Sequence, residues 1–232
     1  MRISPYQQIV TLLTNQLKLE VSTPERLLSP ILFAATLLLC FSFSLSRLPT
    51  GFEVPLIVGE TILTSFFALQ ICFARIFDPD TNDKVYDLMR TYPISPTAWF
   101  LSKYLSVLAM GTTILVPTLL ISHFFHENDG VTILDLTFIS ITFLTLMGLA
   151  ALGVLLALVT MSSTAKEILF PLLYFPLTAP VLLAAIESGR SHLSGNIPFV
   201  ELAQSWLGLL VIFDIIYFTL GILLFGEIIK AD

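Results

Sequence analysis

The sequence predicts an all-α polytopic membrane protein, with six transmembrane helices, an N-terminal amphipathic interfacial helix and a cytoplasmic helix between spans two and three. Three observations carry this. Mean hydropathy is +0.90, and 56% of residues are hydrophobic with only 12% charged, whereas about a quarter of a soluble domain is charged. The charged residues are segregated, leaving apolar runs long enough to cross about 30 Å of hydrocarbon as helices. The main charged interruption, Arg75 to Lys103, separates two such runs and holds four of the seventeen acidic residues. Residues 1–232 read as a single transmembrane domain.

Residues 4–22 are helical in pattern but do not span. Ile9, Leu13, Leu17 and Val21 recur every four residues, with Gln8, Thr11, Asn15 and Lys18 on the other face. That pattern suits a helix lying in the plane of the interface. No short apolar region precedes a small-residue cleavage site in the first 28 residues, so no excised leader is expected. Thr23 then reads as an N-cap with Pro24 at the first helical position. Spans follow near 27–46, 54–74, 99–122, 134–160, 168–186 and 205–226, the fourth being the longest. Turn residues Pro49-Thr50-Gly51, Asn128-Asp129-Gly130 and Ser194-Gly195-Asn196 mark the loops on one side.

Orientation follows from Lys and Arg alone. With the N-terminus inside, the inner segments hold Arg2, Lys18, Arg26, Arg75, Lys84, Arg90, Lys103, Lys166 and Lys230, and the outer ones hold Arg47 and Arg190. This asymmetry places both termini and the 75–98 segment in the cytoplasm. Within that segment, Val85, Leu88 and Met89 fall on one helical face and Asp83, Asp87 and Arg90 on the other. Such a helix suits docking in a groove of a partner protein.

Close helix approach is expected along the fourth span, which carries Gly148, Ala150, Ala151, Gly153 and Ala157. Pro117 interrupts the third span, and Pro171, Pro176 and Pro180 make the fifth a candidate for bending, with Pro176 and Pro180 as hinges. Cys40 and Cys72 lie within spans and read as small apolar residues.

Two carboxylates fall inside spans. Asp214 is roughly 13 Å into the last span and Glu60 about 8 Å below the outer end of the second, at about 1.5 Å per residue. A charge there costs on the order of 3 kcal/mol, so both are candidates for a polar path, a proton relay or a neutral hydrogen-bonded carboxyl, for example Asp214 to Tyr217. His123 and His126 share the outer end of the third span, and His192 lies before the sixth. These imidazoles could contact haem or a metal, or simply reach toward water. The sequence contains no GxxxxGK[ST], HExxH, GxSxG or CxxC motif. No catalytic residue and no metal-binding set is therefore expected, and any energy input comes from a partner or an ion gradient.

The cytoplasmic segment and the fifth span together resemble the CcmB family, the membrane permeases of the haem exporter complex in cytochrome c maturation, within the type-2 ABC exporter permeases. The resemblance rests on Phe77, Asp80, Asp83, Tyr86, Asp87, Leu88, Pro93 and Lys103, and on Phe175-Pro176-Leu177-Thr178-Ala179-Pro180-Val181-Leu182-Leu183. Lys84 stands where these permeases usually carry glycine. The resemblance implies that Asp80, Asp83, Tyr86, Asp87, Leu88 and Pro93 form a coupling helix against a separate ABC ATPase subunit. It also implies an inner-membrane location, two further small haem-handling membrane subunits, and either two copies of this chain or a homologous second membrane subunit. Haem is then a substrate rather than a firmly bound cofactor, ATP is used only through the partner, and no nucleic acid is involved.

Two other functions share the same spans: a type-2 exporter permease for a lipid, glycan or drug, and an ion-coupled secondary transporter using Glu60 and Asp214. The second would be favoured by an inverted repeat, and no internal repeat is evident in the sequence.

Overall fold

The computed structural model of the protein describes residues 4–45, 53–78, 94–126, 132–161, 163–195, 197, 199–202 and 204–231. Among these residues the regular elements are helices: α1 (Pro5–Ser22), α2 (Glu25–Leu45), α3 (Glu53–Phe73), α4 (Pro96–His126), α5 (Leu136–Thr160), α6 (Lys166–Gly195), the one-turn α7 (Phe199–Leu202) and α8 (Trp206–Ala231). Six of them, α2 to α6 and α8, are long and apolar enough to cross a membrane. The protein is a multi-pass membrane protein.

The helix ends show why the spans differ in length from their apolar runs. α6 continues to Gly195 through Glu187, Ser188, Gly189 and Arg190, polar residues that the hydropathy pattern reads as the start of a loop. The continuation is held by packing: Ser188 is buried, and a Cβ at Gly189 would lie 2.9 Å from both Phe138 and Val58. α4, at 31 residues, is longer than α5 at 25, reversing the expectation that the fourth span is longest. All three prolines of α6 lie inside one unbroken helix.

α1 begins with a capping box, in which Ser4 and Gln7 exchange side-chain and backbone hydrogen bonds and Pro5 fills the first helical position. It packs chiefly against α4. Its inward face includes Ile9, Leu13 and Leu17 as expected, but also Gln8 and the buried Glu20, while Val21 is exposed. Gln8 turns inward because its Oε1 accepts the backbone N–H of Ser95 at 3.2 Å. Thr23 closes α1 instead of opening α2: its hydroxyl donates back to the Leu19 carbonyl at 3.0 Å.

α5 is the axis of the bundle, packing against α8, α6, α4 and α3. Its small residues receive particular side chains from neighbouring helices. A Cβ at Gly153 would meet the Phe73 ring at 2.8 Å, and one at Gly148 would meet Asp214 Oδ1 at 2.0 Å. The glycines thus act as sockets, and close packing here means a ring or a carboxyl seated against bare backbone. α2 and α8 lie at the periphery with mostly exposed apolar surface, as lipid-facing helices do.

Candidate functional site

Polar and charged side chains gather at three levels of the bundle: the α1 end, the middle, and the far end. At the α1 end, α3 leads into an elbow, Ala74 to Asp78, made of successive turn hydrogen bonds such as Arg75 N–H to Cys72 O and Asp78 N–H to Arg75 O, both 3.1 Å. Ile76 and Phe77 are buried. Lys103, only 2% exposed, donates to the Ile76 carbonyl at 3.2 Å and sits 4.8 Å above the Phe77 ring. A lysine is rarely buried without such compensation. Lys166 at the start of α6 donates to Asp78 Oδ1 at 2.7 Å. Asp80, Asp83, Tyr86, Asp87, Leu88 and Pro93, with Lys84, lie outside the described residues.

In the middle, Asp214 projects from α8 into the groove at Gly148 of α5. Both its carboxyl oxygens are buried with no hydrogen-bond partner. Tyr217 is not its partner, since that hydroxyl donates to the Leu177 carbonyl of α6 at 2.6 Å. The bond ties α8 to the proline-bearing stretch, where Thr178 also returns its hydroxyl to the Tyr174 carbonyl at 2.9 Å. Pro176 and Pro180 flank both contacts.

At the far end, Glu60 on α3 and His126 on α4 are both 4% exposed, with His126 Nε2 3.2 Å from Glu60 Oε1. The neighbouring Thr61 and Ser122 hydroxyls join the same two helices at 2.6 Å. His126 Nδ1 faces the Ser122 carbonyl at 2.9 Å, an acceptor only, so this nitrogen carries hydrogen. The Nε2–Oε1 contact thus pairs the imidazole of α4 with the carboxyl of α3.

His192 repeats this arrangement. Its Nδ1 faces the Ile197 carbonyl at 2.9 Å, and its Nε2 lies 2.7 Å from Asp135 Oδ2. Asp135 is also the N-cap of α5, accepting from Thr137 N–H at 2.9 Å. Partial burial acts to raise the Asp135 carboxyl, but the Thr137 N–H and His192 outweigh it and hold the group below its ordinary value.

The structure therefore separates the three histidines. His126 and His192 each have both ring nitrogens engaged, and neither offers a lone pair to iron. His123 keeps a buried Nδ1 with no hydrogen-bond partner. Among the described residues, no three His, Cys, Asp or Glu side chains converge as a metal-ligand set.

Asp78 and Asp135 were not singled out by sequence reasoning. Asp135 had a local signal, an N-cap residue directly before an apolar run. Asp78 had none, because its partner lies 88 residues away.

Comparison with known protein families finds one family model, described as CcmB protein, that matches residues 7–229. No curated protein matches the chain.

Proposed function

The chain belongs to the CcmB family, and from that premise we propose that it is the permease subunit of an ATP-driven complex serving haem export, or release of haem-loaded carrier, in cytochrome c maturation. The observation that carries this reading is the extent of the family match, residues 7–229, which takes in all six candidate spans. In this reading residues 1–232 form one transmembrane domain in the bacterial-type inner membrane, with both termini and the 75–98 segment cytoplasmic. The asymmetry of Lys and Arg supports that orientation.

ATP hydrolysis belongs to a separate subunit docked on the coupling segment. Asp80, Asp83, Tyr86, Asp87, Leu88 and Pro93 supply its contacts, with Leu88 as the apolar anchor and Asp83 and Asp87 paired to basic residues at the groove rim. Two further small membrane subunits join the complex, one of them handling haem directly, and the permease core holds two copies of this chain or one copy beside a homologous subunit. The elbow supports the reading: the root of the coupling segment is joined by Lys103 to α4 and by Lys166 to α6, so displacement there is carried into the membrane. Glu60 and Asp214 supply polar character along the spans, and Pro176 and Pro180 allow α6 to bend. If haem touches this chain at an imidazole, His123 is the residue with a nitrogen to offer.

Three measurements test the proposal. Purification from native membranes should recover an ABC ATPase with this chain, and deletion should abolish c-type cytochromes; intact cytochromes would move the assignment to another exported substrate. The double change Asp87→Lys with Leu88→Ala should release the ATPase without lowering the amount of this protein in the membrane. Truncating a buried anchor costs about 2 kcal/mol or more, roughly a thirtyfold loss of affinity. Undiminished ATPase recovery would overturn the coupling-helix assignment.

A further inference from the structure

We propose that Asp78 and Lys166 are positioning residues that transmit load from the elbow after α3 to the proline-bearing span α6. The inference rests on the permease reading above and adds to it a route by which a docked ATPase acts on one particular helix.

Three observations point to it. The two residues are 88 positions apart in sequence, yet Lys166 Nζ and Asp78 Oδ1 are 2.7 Å apart, joining the end of one span to the start of another. Lys166 is the first residue of α6, where the helix dipole disfavours a cation. A lysine at that position works against its own helix, and the Asp78 carboxylate offsets the conflict. The elbow's other attachments are of a different kind. Ile76 and Phe77 are buried, Lys103 is fixed on the Ile76 carbonyl, and the Phe77 ring lies 6.4 Å from Phe225 of α8. Against α4 and α8 the elbow is thus packed as core, while it also meets α6 through an ion pair with side chains 26% and 36% exposed.

That difference decides what the pair is for. An ion pair about a third exposed to solvent adds only modestly to folding stability, and the buried contacts already hold the elbow. An ion pair can lengthen, rotate or exchange oxygens without opening a cavity, as a packed side chain cannot. α6 is also the span able to respond, because prolines at 171, 176 and 180 each remove a backbone donor from its hydrogen-bond ladder. A pull at Lys166 therefore acts on a helix with little resistance to bending, and the Tyr217–Leu177 bond passes the movement on to α8.

The test uses cells carrying the complete complex, from which the ATPase subunit is recovered by purification, and compares Asp78→Lys, Lys166→Asp and the two combined. Each single reversal should keep membrane abundance and ATPase recovery, yet lower the yield of mature c-type cytochrome by about fivefold or more, the lower range of coupling between sites. The combined reversal restores the attraction and should bring the yield back to within about twofold of wild type. Wild-type yield from either single reversal, or a combined variant as defective as its parents, would overturn the proposal. If a reversal is absent from the membrane, Asp78→Asn and Lys166→Gln take its place, and loss of those too assigns the pair to folding and ends the proposal. Failure of the permease reading looks different: the wild-type chain itself recovers no ATPase, and this inference then falls with it.

Discussion

Replacing Gly148 with alanine asks whether the Asp214 carboxyl occupies the groove on α5. The added Cβ would stand 2.0 Å from Asp214 Oδ1, where ordinary contact begins at 3.4 Å, but 3.7 Å from Val181 Cγ1. Only the carboxyl has to move, and by more than an ångström. Overpacking of this kind costs about 1–3 kcal/mol, while alanine recovers up to about 1 kcal/mol of helix propensity over glycine. Gly148→Ala should therefore destabilise by up to about 2 kcal/mol. In an Asp214→Ala background the obstacle is gone, and the same change should be neutral or stabilising by up to about 1 kcal/mol. The coupling between the two sites is then about 2 kcal/mol, within the range for residues in contact. Reversible unfolding in mixed micelles, followed by the fluorescence of Trp99 and Trp206, measures all four corners of the cycle. Asp214→Leu serves as a shape control, since its branched end still meets the alanine. Equal costs of Gly148→Ala in the wild-type and Asp214→Ala backgrounds would refute the placement of the carboxyl.

A cysteine at Asn82 should be labelled by an impermeant reagent only from the cytoplasmic side and one at Ser194 only from outside, and cytoplasmic labelling at Ser194 would overturn the proposed orientation. Asp135→Ala should destabilise by about 1–2 kcal/mol through loss of the α5 N-cap and the His192 contact, whereas Asp135→Asn keeps most of the cap. Because folding holds the Asp135 carboxyl below its ordinary value, its contribution is complete above the ordinary carboxylate range, near about pH 4, and is lost as pH falls through the folded-state value; Asp135→Asn should flatten that acid limb in a pH series of thermal midpoints, and an unchanged limb would contradict it. His126→Leu alone should cost about 3 kcal/mol by removing the imidazole 3.2 Å from the buried Glu60 carboxyl, and adding Glu60→Met should recover most of it; a double variant no better than the single one would show that the pair is not coupled.

Local sequence was enough to find the spans, because hydropathy and the bilayer thickness fix them together. It was also enough for most of the inward stripe of α1, apart from Val21, which is exposed, and the polar Gln8 and Glu20, which turn inward. It placed the end of α6 too early because Glu187 to Arg190 look like a loop, whereas Gly189 is held by Phe138 and Val58, side chains far away in the chain. The same limit applies to the candidate site. Glu60 and Asp214 stood out as carboxyls in apolar runs, but their surroundings did not: His126 was read beside His123 on one helix face, while its tie is to α3. Asp78 with Lys166 and Asp135 with His192 are joined across many residues, and no period or motif encodes which distant carboxylate a cation meets. Gly148 was legible as a packing residue, and only the three-dimensional arrangement shows that what it packs is a carboxyl.

The central position of α5 has a consequence for biogenesis. Its most extensive neighbours are α8 and α6, both of which are synthesised after it. When α5 first enters the bilayer, the socket at Gly148 has no occupant and the Phe138 ring has no Gly189 to rest against. The groove awaiting Asp214 stays open until α8 leaves the ribosome. A chain ending before Trp206 would present a bare glycine face to lipid with nothing to fill it. Quality control that recognises unpaired membrane helices would then read assembly of this bundle from the arrival of α8.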